Sequence, residues 1–171
     1  PIAGGSVVAV AGSHFVGGDG YRCKFGDSTP VHASLQGARS TGYFLECVSP
    51  AVNSSDGREL VMPLEITVND QQYTSNGRPF RYFSAQVLAG LSPTSGPVQG
   101  NTQVFVAFGS SGGSSDSTFY CRFGTLLSIG VKVSDSQIAC PSPASATAQT
   151  VRVAISSNAQ QFSNVKNFTY F

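Results

Sequence analysis

The sequence predicts an all-β protein made of two tandem β-sandwiches, each stapled by one disulfide. Three observations predict it: an internal repeat running the length of the chain, short apolar stretches with the two-residue period of strands, and one cysteine pair in each copy. A chain of 171 residues suits two small domains, given a usual domain size of about 100–150 residues.

The repeat is read block by block. Pro1-Ile2-Ala3-Gly4-Gly5-Ser6-Val7-Val8-Ala9-Val10 aligns without gaps on Pro97-Val98-Gln99-Gly100-Asn101-Thr102-Gln103-Val104-Phe105-Val106. Cys23-Lys24-Phe25-Gly26 then matches Cys121-Arg122-Phe123-Gly124, and Cys47-Val48-Ser49-Pro50 matches Cys140-Pro141-Ser142-Pro143. Ile66 to Asn69, with Tyr73 and Thr74, matches Ile155 to Asn158, with Phe162 and Ser163. The copies close on Phe80-Arg81-Tyr82-Phe83 and Phe168-Thr169-Tyr170-Phe171. The offset drifts only between matched blocks, so the length changes fall in loops.

The blocks read as strands. Val104, Val106 and Phe108 alternate with Gln103, Phe105 and Ala107; Leu64, Ile66 and Val68 alternate with Glu65 and Thr67; Val151, Val153 and Ile155 alternate with Arg152 and Ala154. That is the period of a half-buried strand, and no window carries a capped 3.6-residue apolar stripe. Gly109-Ser110-Ser111-Gly112-Gly113-Ser114-Ser115-Asp116 has the composition of a flexible coil inside the second copy. Gly4, Gly5, Gly17, Gly18, Gly112 and Gly113 read as turn formers.

The boundary falls near Ser84, giving domains over 1–84 and 85–171. No Gly or Pro lies between Phe83 and Val87, which predicts a stiff end-to-end junction. The second copy opens with Gln86 to Gly96, a strand and turn that the first copy lacks. The first copy is therefore expected to have lost its opening strand. It would leave an unpaired edge for another part of the protein, or a non-covalent fragment, to cover. A start at Pro1, without Met or signal peptide, reads as a mature or excised piece of something longer.

Four cysteines allow three pairings. The repeat selects one: Cys23 and Cys47 hold the positions of Cys121 and Cys140, so each copy owns a bridge. Close C-x-x-C pairs with histidines nearby, which a zinc site needs, are absent. The carboxylates form no D-x-D cluster, so neither a calcium site nor any other cofactor is expected.

Charged residues are 11% of the chain against about 25% in an average globular protein, with Ser, Thr, Gly, Asn and Gln in their place. The net charge of +1 gives no basis for binding nucleic acid, and no apolar run is long enough to enter a membrane. His14 and His32 read as surface or turn histidines, and no G-x-S-x-G, H-E-x-x-H or phosphate-loop motif occurs.

Leu91-Ser92-Pro93-Thr94-Ser95-Gly96-Pro97, the Cys121 and Cys140 blocks, Val151 to Ile155, Asn158, Phe162-Ser163 and Phe168-Thr169-Tyr170 together resemble an IPT/TIG domain. The resemblance covers nearly the whole chain, twice. It implies an immunoglobulin-like sandwich of the E-set type, and the cysteine pairs resemble the plexin-type and fibrocystin-type extracellular members. The implied role is a non-enzymatic structural or adhesive segment of a larger secreted or cell-surface protein. It would contact other proteins, further domains of the same chain, or copies of itself in a filament.

Asn53-Ser54-Ser55 and Asn167-Phe168-Thr169 are acceptor sequences for N-glycans. In the last strand Phe168 and Tyr170 should face inward and Asn167 and Thr169 outward. The alternative function is a carbohydrate-binding accessory module of a secreted enzyme or cell-wall protein. It needs exposed aromatic rings, for which Phe83 and Phe171 are the candidates, since they alternate away from Tyr82 and Tyr170.

Overall fold

The structure, a computed structural model, describes residues 1–38, 40–54, 59–109 and 118–171. The Gly-Ser coil expected inside the second copy, with Gly112 and Gly113, lies outside the described residues from Ser110 on, as does Ser55 of the first glycan acceptor sequence. The chain divides into two compact units, Pro1–Ser84 and Ala85–Phe171.

Unit 1 contains β1 (Val7–Ala11), β2 (Arg22–Phe25), β3 (Val31–Ala38), β4 (Gly42–Val48), β5 (Leu60–Thr67) and β6 (Arg78–Tyr82), hydrogen-bonded in the order β1-β4-β3-β2-β5-β6. Unit 2 contains β7 (Val87–Ser92), β8 (Ser95–Gly96), β9 (Gln103–Gly109), β10 (Thr118–Phe123), β11 (Leu126–Ser134), β12 (Gln137–Pro141), β13 (Gln149–Ser156) and β14 (Lys166–Tyr170). Their order is β7-β9-β12-β11-β10-β13-β14-β8. With β7 and β8 set aside, the two ladders are the same strand for strand. All pairings are antiparallel except β14 with β8.

The repeat extends to single hydrogen bonds. The Ser6 N–H donates to Ser49 Oγ at 3.1 Å, and the Thr102 N–H donates to Ser142 Oγ at 3.1 Å. The Ile66 and Ile155 N–H groups donate to the hydroxyls of Thr74 and Ser163, each at 3.0 Å. Asn69 Nδ2 donates to Gln72 at 2.6 Å, and Asn158 Nδ2 to Gln161 at 2.7 Å. Matched sequence blocks thus close matched turns.

Burial follows the two-residue period in β9 and β10, but not in β13, where Ala154, expected outward, is buried together with Val153 and Ile155. Val104 and Val106 are fully buried and Phe108 nearly so, while Gln103 and Phe105 face out. In β5 the alternation breaks: Thr67 is buried and Ile66 only half-buried. The Thr67 hydroxyl faces inward because it turns the chain, donating to Asn69 Oδ1 at 3.0 Å and accepting from the Asn69 N–H at 3.2 Å.

Cys23 bonds Cys47 and Cys121 bonds Cys140, as the repeat requires. Each bridge joins strands that lie two places apart in the ladder, β2 to β4 and β10 to β12. In a flat sheet such strands stand about 9.5 Å apart. The bridged Cα atoms are 6.4 and 6.1 Å apart, so the ladder folds sharply over the strand between. That middle strand needs a small residue under the sulfurs. It is Ala33 in β3, and Gly130 in β11, where an added Cβ would lie 2.6 Å from Cys121 Sγ.

Each core is finished by an aromatic group: Phe25, Phe80 and Tyr82 in unit 1, and Phe123, Phe168 and Tyr170 in unit 2. The two tyrosines differ in one bond. The Tyr170 hydroxyl donates to the Pro143 carbonyl at 2.8 Å, whereas the fully buried Tyr82 hydroxyl has no partner among the described residues. Burial pushes Tyr82 up to about 12 from its ordinary 10. The folded state therefore favours the neutral phenol. This contribution is intact below pH 10 and is lost as pH climbs from 10 toward 12, where only the unfolded chain ionises. Tyr82→Phe is expected to raise stability by about 1 kcal/mol and flatten that alkaline loss, while Tyr170→Phe lowers stability by about 1 kcal/mol. Urea unfolding at neutral and alkaline pH reads both effects.

Candidate functional site

The β11 strand inverts the usual distribution of side chains. Ser128 and Gly130 point toward the core, where the sulfurs take the space, and Leu127, Ile129, Val131 and Val133 point outward. These four are 54, 62, 60 and 55% exposed. Flanking strands extend the apolar surface. Phe105 of β9 lies in register with Val131 across the buried Ala139 of β12, and the half-buried Tyr120 of β10 lies beside Ile129. At one end the Arg122 guanidinium sits 4.1 Å from the centre of the Phe162 ring, opposite Leu127. A contiguous apolar face with aromatic and arginine neighbours has the composition of a protein-binding patch.

The same face in unit 1 is polar. His32, Ser34 and Gln36 stand on β3 where unit 2 has its apolar row, with Glu46 beside Ser34 and Arg22 beside His32. Arg22 is paired with Asp70 at 2.7 Å. Equivalent strands of the two ladders thus carry opposite surfaces, and the shared strand order does not account for the apolar one.

The other residues singled out from sequence are scattered. Asn53 is exposed after β4. Asn167 is exposed on β14 with Thr169 on the same face, and the Thr169 hydroxyl lies 3.1 Å from that of Thr150. Phe171 is 69% exposed, but Phe83 is half-buried, and the two belong to different units. His14 and His32 are exposed, and His14 Nδ1 lies 3.0 Å from Ser13 Oγ. Among the described residues no three His, Cys, Asp or Glu side chains gather as a metal set would. No helix in them is long and apolar enough to cross a membrane.

Sequence reasoning missed the β11 face. Its signal is present in Leu127-Ser128-Ile129-Gly130-Val131-Lys132-Val133, which alternates with the period of a strand. What marks the large residues as outward is the smallness of Ser128 and Gly130 beneath the bridge.

Fold and surface define an immunoglobulin-like β-sandwich module with a disulfide across the fold of its ladder. Residues 87–170, which make up nearly all of the second unit, match the family described as IPT/TIG domain. Two solved structures of the plexin A4 full extracellular region are similar across the chain. One holds domains 1 to 8, at 21% identity and a TM-score of 0.52, covering 100% of this chain and 17% of that one. The other holds domains 1 to 10, at 20% identity and a TM-score of 0.60, covering 99% of this chain and 15% of that one. The likeness is one of fold. No curated protein matches the chain.

Proposed function

We propose that the chain is a non-enzymatic segment of an extracellular protein, structural or adhesive, in which two IPT/TIG domains stand in tandem and unit 2 binds another protein. The observation that carries this reading is the exposed row Leu127, Ile129, Val131 and Val133, set against the polar face of unit 1. The partner would present an apolar protein surface that buries Ile129 and Val131 at the centre, with Tyr120 and Arg122 toward the edge. Two disulfides in small domains of low charge suit an oxidising compartment. Asn53 and Asn167 are the proposed N-glycan positions. Asn167 stands three places from β11 in the ladder, so a glycan there leaves the apolar face open.

The test is an array of purified extracellular domains probed with the chain and with the Ile129→Lys/Val131→Lys variant. Surface lysines should leave the unfolding midpoint within about 0.5 kcal/mol of the parent. Burying two charges in the interface should weaken any authentic partner more than about tenfold. Partners bound equally well by both proteins, or no partner at all, would remove the β11 face from the proposal.

A further inference from the structure

The outward row of β11 has a taper. Its longer side chains, Leu127 and Ile129, stand on one half and its two valines, Val131 and Val133, on the other, with the inward-facing Gly130 between. Gly130 is the midpoint of Leu127 and Val133, and also of Ile129 and Val131. A two-fold rotation about an axis crossing the strand at Gly130 therefore returns the row onto itself with its ends exchanged. It sets Leu127 against Val133 and Ile129 against Val131, a long side chain over a short one at all four places. Side chains between two packed sheets fill a gap of about 10 Å, and this pairing fills it evenly. A parallel alignment would set Leu127 on Leu127 and Val133 on Val133, crowding one end and leaving the other open. Ile129, Val131 and Val133 are also branched at Cβ, so they have little rotamer freedom to lose on burial.

The charges at the two ends of the row are opposite. Arg122, on β10, stands beside Leu127. Its guanidinium lies on the Phe162 ring and makes no ion pair or hydrogen bond among the described residues. Asp135 follows Val133 by two residues, and its side chain is 93% exposed. It is the only carboxylate side chain among the described residues of unit 2, and it pairs with Lys132 at 2.9 Å. So exposed a pair holds the carboxylate weakly, and a second cation can share it. Exchanging the ends of two rows brings Arg122 of each copy to the Asp135 end of the other, twice per dimer. Strand addition is not open to β11, because β10 and β12 pair with both of its edges; only its face is available.

We propose that the β11 face of unit 2 binds a second copy of this chain, β11 antiparallel to β11 about a two-fold axis at Gly130, with Arg122 of each copy reaching Asp135 of the other. This names the partner of the face described above and rests on that reading. Contact is confined to one row of side chains on the crest of the folded ladder, so the dimer constant falls in the micromolar range. The equivalent face of unit 1 is polar, so each chain has one such surface and assembly stops at two.

Sedimentation equilibrium of the full chain tests it, and immobilised copies of the chain form one member of the array above. Expected is a monomer–dimer equilibrium with no larger species. Ile129→Lys/Val131→Lys should weaken it more than about tenfold. Arg122→Glu and Asp135→Arg should each weaken it about tenfold, and the double variant should return to within about threefold of the parent, a recovery that damage to the fold would not produce. A bismaleimide with a reach of about 10 Å, the gap between packed sheets, reads the strand direction. It should join chains carrying Leu127→Cys to chains carrying Val133→Cys and neither to its own kind, because like positions lie about 20 Å apart along the antiparallel strands. A chain that stays monomeric at millimolar concentration, growth beyond two copies, or like-with-like cross-links would overturn the proposal. A monomer that still captures another domain through Ile129 and Val131 would overturn the dimer and leave the reading of the face standing. A dimer that the lysine variant leaves unchanged would overturn both.

Discussion

Replacing Cys23 and Cys47 together by alanine is expected to lower the stability of unit 1 by about 3 kcal/mol. The bridge closes a sequence separation of 24 residues, and the loop entropy it removes from the unfolded chain sets that scale. Both sulfurs are buried, so their loss also leaves a small void over Ala33. Unit 1 has little to offset this. Val8, Val10, Leu35, Ile66 and Val68 pack against its core only partly buried. Domains of this size are stable by about 5–15 kcal/mol, so the loss is a large fraction of the total. In calorimetry the transition of unit 1 should fall by about 15 °C while that of unit 2 stays in place. A shift of both transitions would mean that the units do not unfold independently, and no shift would mean that the bridge constrains little.

Gly100→Ala is expected to cost unit 2 about 3 kcal/mol, from two separate causes. Gly100 has φ +77°, where a side chain costs about 1–2 kcal/mol. An added Cβ would also lie 2.6 Å from the Ala144 nitrogen and the Pro143 carbonyl carbon, and these are backbone atoms that no rotamer change can move. Overpacking of this kind adds about 1–3 kcal/mol. Gly4, with φ +75° and the same 2.6 Å approach to Ala51 and Pro50, should show the same loss in unit 1. Gly90→Ala is the control: nothing lies within 4 Å of its added Cβ, and the change should stay within about 0.5 kcal/mol. Equal losses at Gly90 and Gly100 would point to chain entropy rather than to the close approach.

The paired glycines show why much of this fold was legible in one sequence. Two copies of a domain serve as an alignment of two, so Gly4 with Gly100, Ser49 with Ser142 and Asn69 with Asn158 stood out as fixed points. Each closes the same turn in both units. Repetition also solved the cysteine pairing, which spacing alone left three ways open. Features present in one copy only were harder to read. The two-residue strand β8 pairs in parallel with β14 and has no period to detect. The hydrogen bonds between the Asn164 side chain and the Leu88 backbone span 76 positions in sequence, and neither residue forms a local motif. The orientation of β11 depends on sulfur atoms contributed by its two neighbours. Its period was visible, but which face was wet was not. Phe83 was assigned outward by alternation from Tyr82, yet it is half-buried. It follows the last residue of β6, past the end of the pleat that the alternation assumes.

The placement of the two bridges also bears on how the chain would behave under tension. A sandwich pulled by its ends unravels strand by strand, but a disulfide is a covalent stop. The 24-residue span inside Cys23–Cys47 and the 19-residue span inside Cys121–Cys140 stay closed however far the rest has opened. At about 3.5 Å per extended residue, roughly 85 Å and 65 Å of contour length are withheld from the two units. In unit 1 the span that can pay out includes β1, β5 and β6, while β3 and most of β2 and β4 lie within the stop. Under load each unit therefore lengthens by a limited, preset amount, with its bridged span withheld from the extension.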